Sequence, residues 1–408
     1  MYRLFCILID KKMKNVLLLI CKNQGGTMVN GENRINWIDG LKGIICLLIF
    51  THHFLLAFFP SSYYGDAGMS HFKYDVQFAS SPLSFIVNGN FLVHIFCLLS
   101  GYIISVKFLK NLDNEKMSKS LIKRYFQLGL NIFFIGILVW LLFKFNLFNN
   151  SYISEITKSP WLASYYTNKI SFKNMFVSSF VNTIFIGDDL ISNAFWMLKY
   201  IFIGTFLNCL LSVISVNKNK KILILYFCLL LIFIYLQSYL ACFVIGFILA
   251  YIENQININC SNKLFCILGI ILIIIGCFLG GYPTSVSPNN IYLKFHGNYF
   301  VYHLIGSTFL IIGILLCKCI QKFFSKGIFL EFGKISFEIY LIHIPLIFSF
   351  SMFIFKFLIT RLNYIQSSIF TYFFSVIVLL FLAILYNSYI SKFIKKIENG
   401  IIKFFEKK

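Results

Sequence analysis

The sequence predicts an all-α polytopic membrane protein of about ten transmembrane helices, and three observations carry that prediction. Hydrophobic residues make up 59% of the 408 and charged residues only 12%, too little charge to cover a soluble domain of this size. The apolar residues come in runs close to the roughly 20 that cross a bilayer as a helix, without the short alternating strands of an outer-membrane barrel. Lys and Arg concentrate in alternate connections between those runs.

The ten runs fall at about 38–59, 89–108, 122–145, 194–216, 221–237, 239–254, 263–280, 299–320, 335–357 and 366–390. Segments 107–124, 217–221, 252–263, 318–334 and 391–408 hold 20 Lys and Arg residues, whereas the intervening connections hold 7. Positive charge marks the cytoplasmic side, so both termini are expected inside, which agrees with an even number of spans. Only Gln237-Ser238 separates the fifth run from the sixth. Merging the two would invert the later charge bias, so they are read as separate.

A net charge of +21 would suggest nucleic acid in a soluble protein. Here the basic residues lie between apolar runs and no nucleic-acid-binding motif accompanies them, so orientation and attraction to anionic lipid explain them better. The twelve cysteines are scattered, and the closest pair, Cys317-x-Cys319, has neither a metal nor a redox spacing. No metal site and no disulfide framework are expected.

The connections at 60–82 and 146–193 are read as external. Within the second, 172–186 is apolar but short for a span, which predicts an interfacial helix. Residues 391–408 form a basic cytoplasmic tail. The first 27 residues look foreign to the domain, and Gln24-Gly25-Gly26-Thr27 can be encoded by a purine-rich string of ribosome-binding type. Translation is therefore expected to start at Met28 in a bacterial cytoplasmic-membrane protein, with 1–27 an artefactual or disordered extension. A peptide detected N-terminal to Met28 by mass spectrometry would overturn that.

The first run carries unusual polarity. Asp39 and Lys42 lie near its cytoplasmic end and His52-His53 well inside, and each ionisable group costs about 2.5–3.5 kcal/mol at the centre of the bilayer. Lys can reach the headgroups by snorkelling; a mid-membrane histidine cannot. Eleven residues from Lys42 to His53 are about three turns, leaving an offset of about 20° and a rise of about 16 Å. His52 points about 80° away. Lys42 and His53 thus share a stripe, and Asp39, three residues before Lys42, is placed to be its counter-ion. An interfacial ion pair plus a hydrogen-bonded histidine is the plain alternative, but two histidines above a charged pair favour function.

Those residues also carry a resemblance. Trp37-Ile38-Asp39-Gly40-Leu41-Lys42-Gly43, followed by His53, resembles the opening motif of the integral-membrane acyltransferase 3 family. In that motif Arg stands at the position of Lys42, with ten residues between it and a histidine implicated in catalysis. Asn88-Gly89-Asn90-Phe91-Leu92-Val93-His94-Ile95-Phe96-Cys97-Leu98-Leu99-Ser100-Gly101-Tyr102 is similar to the family's second-span signature. Phe332-Gly333-Lys334-Ile335-Ser336-Phe337-Glu338-Ile339-Tyr340-Leu341-Ile342-His343 is similar to its late element. The match runs from Arg34 to Tyr389, so 34–390 is read as the acyltransferase 3 transmembrane domain. Two departures stand out: Lys42 keeps the charge but lacks the planar fork of Arg, and Lys199 lies in the stretch after Trp196 where members often carry Glu.

The resemblance implies transfer of an acyl group, most often acetyl, from acyl-CoA to a hydroxyl of a cell-surface glycan or lipid-linked saccharide at the outer face. Acetyl-CoA is then a co-substrate and no cofactor is bound. His53, Lys42 and Asp39 are the candidate catalytic residues, His53 acting as general base or as a covalent acyl carrier. Lys123 and Arg124, at the end of a basic cluster, are the candidate donor-binding pair. Ser336, Tyr340 and His343 fall at i, i+4 and i+7 on one face of the ninth run, as acceptor-binding or structural polar groups. Ser100-Gly101 reads as helix packing, His94 has no expected role, and His296 and His303 read as a solvated rim. A transporter or flippase using intramembrane His and Lys for proton coupling is the alternative; it predicts inverted repeats, which the hydropathy does not show.

Overall fold

The computed structural model describes residues 28–29, 32–33, 35–110, 112–215, 222–255, 263–284, 291–295 and 297–406. Residues 1–27 and His296 lie outside the described residues. A two-residue antiparallel ladder pairs Met28–Val29 with Glu32–Asn33, and helices account for nearly everything after it.

Ten apolar helices follow the ten predicted runs: α1 Asn36–Phe58, α2 Gly89–Lys110, α3 Asn114–Lys144, α4 Trp196–Ile214, α5 Ile222–Tyr235, α6 Leu240–Gln255, α7 Lys263–Gly280, α8 Tyr299–Leu316, α9 Ser336–Leu358 and α10 Tyr364–Tyr386. Eight of them are long and apolar enough to cross a membrane, while α5 and α6 are shorter, at 14 and 16 residues. The turn at Gln237, with a positive φ of 48°, divides α5 from α6 as the charge bias required.

Helix burial separates a centre from a rim. The most apolar stretch of α2 is 72% buried against 17% for α7, so α2 lies inside the bundle and α7 faces outward. On α10, Ile369, Phe373, Ile377 and Phe381 recur every fourth residue and are all exposed, a stripe suited to lipid. Glycines set the closest approaches. Gly101 and Gly246 bring the backbones of α2 and α6 together, and a Cβ on Gly246 would lie 2.4 Å from Leu98 O. Small residues allow this kind of packing where no hydrophobic force drives helices together.

Two connections differ from their expected form. Residues 172–186 are a continuous helix packed along α3, with Met175 against Gly136 and Phe180 against Gly129. A helix with glycine grooves beside it gains more by packing than by lying alone at an interface. The segment expected as a basic tail continues α10 through a π-turn into an amphipathic helix, Lys392–Glu406. Ile394 and Ile402 on its inner face are buried, and Lys119 of α3 bridges to Glu406 at 2.6 Å. The signal was present: isoleucines at helical spacing among the lysines.

Candidate active site

The site is framed by backbone contacts between two stretches almost 300 residues apart. A Cβ on Gly43 would stand 2.6 Å from Gly333 N, and one on Gly333 would stand 2.5 Å from Asp39 O. Real side-chain carbons do not come so close, so Asp39-Gly40-x-Lys42-Gly43 and Phe332-Gly333-Lys334 interlock only as glycines. This contact fixes the level of α1 against the start of α9.

Lys42 then turns toward α2. Its Nζ donates to Ser100 Oγ at 3.3 Å and lies 5.0 Å from the centroid of the Phe96 ring, while Ser100 Oγ donates to Phe96 O at 2.8 Å. Asp39 and Arg124 both lie within electrostatic reach of Lys42. The expected basic pair divides: Lys123 is exposed, whereas Arg124 is half-buried and donates to Gln127 Oε1 at 3.1 Å. Two cations, Lys42 and Arg124, thus face one region at the end of the bundle that the charge bias assigns to the cytoplasm.

His53 and His343 meet deeper in the bundle, with ring centroids 5.0 Å apart. His53 Nδ1 lies 2.9 Å from Ile49 O, and His343 Nδ1 lies 2.6 Å from Tyr340 O. A carbonyl oxygen can only accept, so each Nδ1 carries its proton and each neutral ring keeps its lone pair on Nε2. His343 is 1% exposed, and its Nε2 has no hydrogen-bond partner among the described residues. His53 is half-buried, so the pair combines one enclosed imidazole with one that is reachable.

The second connection covers this pair. Trp161, in the short helix Pro160–Ser164, places its ring 5.5 Å from His53 and is held by Nε1 donating to Asn193 Oδ1 at 2.9 Å. Ser159 Oγ ties the same stretch to α1 by donating to Leu56 O at 2.6 Å. Tyr340 is anchored elsewhere: its hydroxyl donates to Ala194 O, placing the stretch before Trp196 against α9.

The remaining candidates bond elsewhere, although the His52 ring stays 4.9 Å from that of His53. Ser336 Oγ donates to Gly333 O at 2.9 Å, a local bond at the start of α9, so it does not join His343 despite sharing its face. His52 turns to Val87 O at 2.8 Å and to the edge of Tyr63; it lines a small cleft with Tyr63, Ser84, Asn88 and Thr284. Lys199 caps the carbonyl of Ile186 at 3.0 Å and enters neither region. His303, expected at a solvated rim, is fully buried with His94, their ring centroids 5.7 Å apart. Residues 281–284 fold over that end of α8 and take His303 Nε2 at Tyr282 O, 2.7 Å away.

Two contributors were missed by sequence reasoning, and one expected pair was split. Ser100 carried a signal, since it stands in a quoted motif, but was read as packing alone. Trp161 gave none, because nothing in a loop sequence reveals which helix it folds onto. The inward turn of Arg124 rather than Lys123 follows from the helical phase of α3 against its neighbours.

A polytopic helical membrane protein with an imidazole pair above two cations is the class that fold and site define. The chain belongs to the acyltransferase 3 family, whose acyltransferase domain matches residues 35–387. No curated protein and no solved structure matches it.

Proposed function

We propose that this acyltransferase moves an acetyl or related acyl group from acyl-CoA, bound from the cytoplasmic side, to a hydroxyl of a cell-surface glycan or lipid-linked saccharide. The observation that carries the reading is the His53–His343 pair, with both Nε2 lone pairs available and Lys42 and Arg124 on the same path. A sugar hydroxyl is a weak nucleophile, and a neutral imidazole at His53 Nε2 takes its proton as the oxygen attacks the thioester carbonyl. The carbon–sulfur bond then breaks, and His53 returns the proton to the leaving thiolate. His343 is a positioning residue that keeps the second lone pair close to the imidazolium formed on His53.

The cations suit the donor. Asp39 lies within electrostatic reach of Lys42 and Glu398 of Arg124, and the phosphates of acyl-CoA are further anions that the two cations can attract. The thioester ends a long pantetheine arm, so phosphate binding near Lys42 is compatible with chemistry at His53, about 16 Å along α1.

The test uses membrane vesicles carrying the full chain, given acetyl-CoA labelled in the acetyl group. Label on saccharide, and loss of a matching acetyl increment from surface polysaccharide in a deletion strain, are the expected results. Turnover of acetyl-CoA with no labelled saccharide would overturn the acceptor, and no turnover with any acyl-CoA would overturn the donor.

A further inference from the structure

Three cysteines meet where α7 and α8 come together, away from the histidines. Cys266 lies in the first turn of α7, Cys317 ends α8, and Cys319 follows in the short helix Lys318–Phe324. Their sulfurs are 2.8 Å apart for Cys266–Cys317, 3.1 Å for Cys317–Cys319 and 3.7 Å for Cys266–Cys319. A disulfide bond is about 2.05 Å long, so all three are free thiols. The sequence hid the cluster because its third member lies 51 residues before Cys317, and Cys317-x-Cys319 alone has no metal spacing.

The helix backbones hold this arrangement. Gly269 packs on Gly313 and Gly276 on Gly306, and a Cβ on Gly313 would stand 2.5 Å from Gly269 O. The two pairs lock α7 and α8 in one antiparallel register. Three residues back from Gly269 is Cys266, and four on from Gly313 is Cys317. The sulfurs therefore meet at a point that neither helix can leave without breaking its glycine contacts.

We propose that Cys266, Cys317 and Cys319 form a three-thiolate site for a thiophilic d10 cation, Zn2+ or Cu+. Zinc–sulfur bonds of about 2.3 Å set tetrahedral sulfurs about 3.8 Å apart, so binding needs the two closer pairs to spread by less than about 1 Å. Sulfur donors select soft cations over Mg2+ and Ca2+. A disulfide would use two of the sulfurs and strand the third, whereas one ion uses all three. Cys317 is buried and Cys319 exposed, so an ion reaches the cluster from the Cys319 side. Three sulfurs complete a trigonal Cu+ site and leave Zn2+ one position for water.

The site also has a mechanical role. The corner from Cys317 to Cys319 leads into the helix that ends at Phe324, whose carbonyl lies against Gly40 of α1. An ion there pins the brace of the Asp39–Lys42 end of α1. Metal binding itself does not depend on the acyl-transfer reading.

The test uses the full tag-free chain, purified in detergent and kept reduced. Co2+ replaces Zn2+ as a spectroscopic probe, Cu+ is titrated against a competing chelator, and metal per chain is measured by mass spectrometry. One ion per chain with a thiolate-to-cobalt charge-transfer band is expected. Cys266→Ser and Cys319→Ser should weaken affinity by at least the about 10–100-fold that loss of a supporting contact costs. Cys228→Ser, an exposed cysteine on α5, should leave it unchanged. Tighter retention against the chelator decides between Cu+ and Zn2+. In the wild-type chain, bound metal should also slow maleimide labelling of Cys319, which requires no variant. Absence of the cobalt band, metal retained by both serine variants, or unprotected Cys319 would each overturn the site.

Discussion

Two pairs of histidines lie inside this bundle, and they differ in what their nitrogens do. In the His53–His343 pair each Nδ1 is satisfied by its own helix, at Ile49 O and Tyr340 O, which leaves both Nε2 lone pairs to accept from substrate. In the His94–His303 pair, His94 Nδ1 is held by Asn90 O at 2.7 Å, but His303 spends Nε2 on Tyr282 O. His303 thereby ties α8 to the connection after α7. Both members of the second pair are 0% exposed, while His53 is reachable. Burial, pairing and an unpartnered ring nitrogen are common to the two, since His94 Nε2, His303 Nδ1 and His343 Nε2 all lack a hydrogen-bond partner among the described residues; access is not.

The largest expected effect tests that contrast directly. His53→Ala and His53→Gln should lower acyl transfer by about 10²–10⁴-fold, the range of a lost general base, with normal amounts of folded protein in the membrane. His94→Gln should keep turnover within about twofold and affect only stability. If His94→Gln abolished transfer and His53→Gln did not, the two pairs would have to exchange roles. His343→Gln comes next: a positioning residue should cost about 10–100-fold in kcat, with KM for acyl-CoA unchanged, as measured by initial rates.

The cations give the third effect. Lys42→Ala should raise KM for acyl-CoA more than it lowers kcat, and Lys42→Arg should retain activity because the charge remains. Arg124→Gln should move KM in the same direction and Lys123→Gln should not, since Arg124 is half-buried within electrostatic reach of Lys42 and Lys123 is exposed. Activity surviving Lys42→Ala but lost with Lys42→Arg would count against a donor-binding cation.

How much of this was legible depends on the range of each contact. The phase of His53 against His52 follows from helical period alone, so the first span disclosed its own stripe. The meeting of His53 with His343 was indicated only by the order of family motifs, because no local pattern pairs residues 290 positions apart. Ser336 takes the structural one of its two expected roles: it shares a face with His343, but a serine at a helix start bonds locally before it reaches across. The lid of Trp161 and the sulfur cluster at Cys266 depend on how separate stretches dock, which composition does not encode.

The glycine interlock offers a fourth test, on geometry rather than chemistry. Gly43→Ala puts a Cβ 2.6 Å from Gly333 N, where backbone and not a mobile side chain must yield. Overpacking of this kind costs about 1–3 kcal/mol and should appear as a lower melting temperature in detergent together with weaker acyl-CoA binding. Gly327→Ala has nothing within 4 Å of its new carbon and should leave both unchanged. Equal effects at the two positions would mean that the interlock does not set the site.

The smallest effect is expected at His303, and it fixes the meaning of the second pair. His303→Leu removes a donor from the buried carbonyl of Tyr282, which as a lone unsatisfied acceptor would cost about 1–3 kcal/mol. Tyr282 O keeps another donor, Asn88 Nδ2 at 3.1 Å, so the loss is that of one ordinary hydrogen bond, about 0.5–1.5 kcal/mol. His303→Gln, whose amide can donate to the same carbonyl, should recover most of it. Thermal melts of the three proteins in one detergent measure the difference, and turnover per folded molecule should be equal in all three. A fall in turnover beyond about tenfold in His303→Gln would show that the lone pair left on His303 Nδ1, rather than the bond on Nε2, is what that histidine contributes.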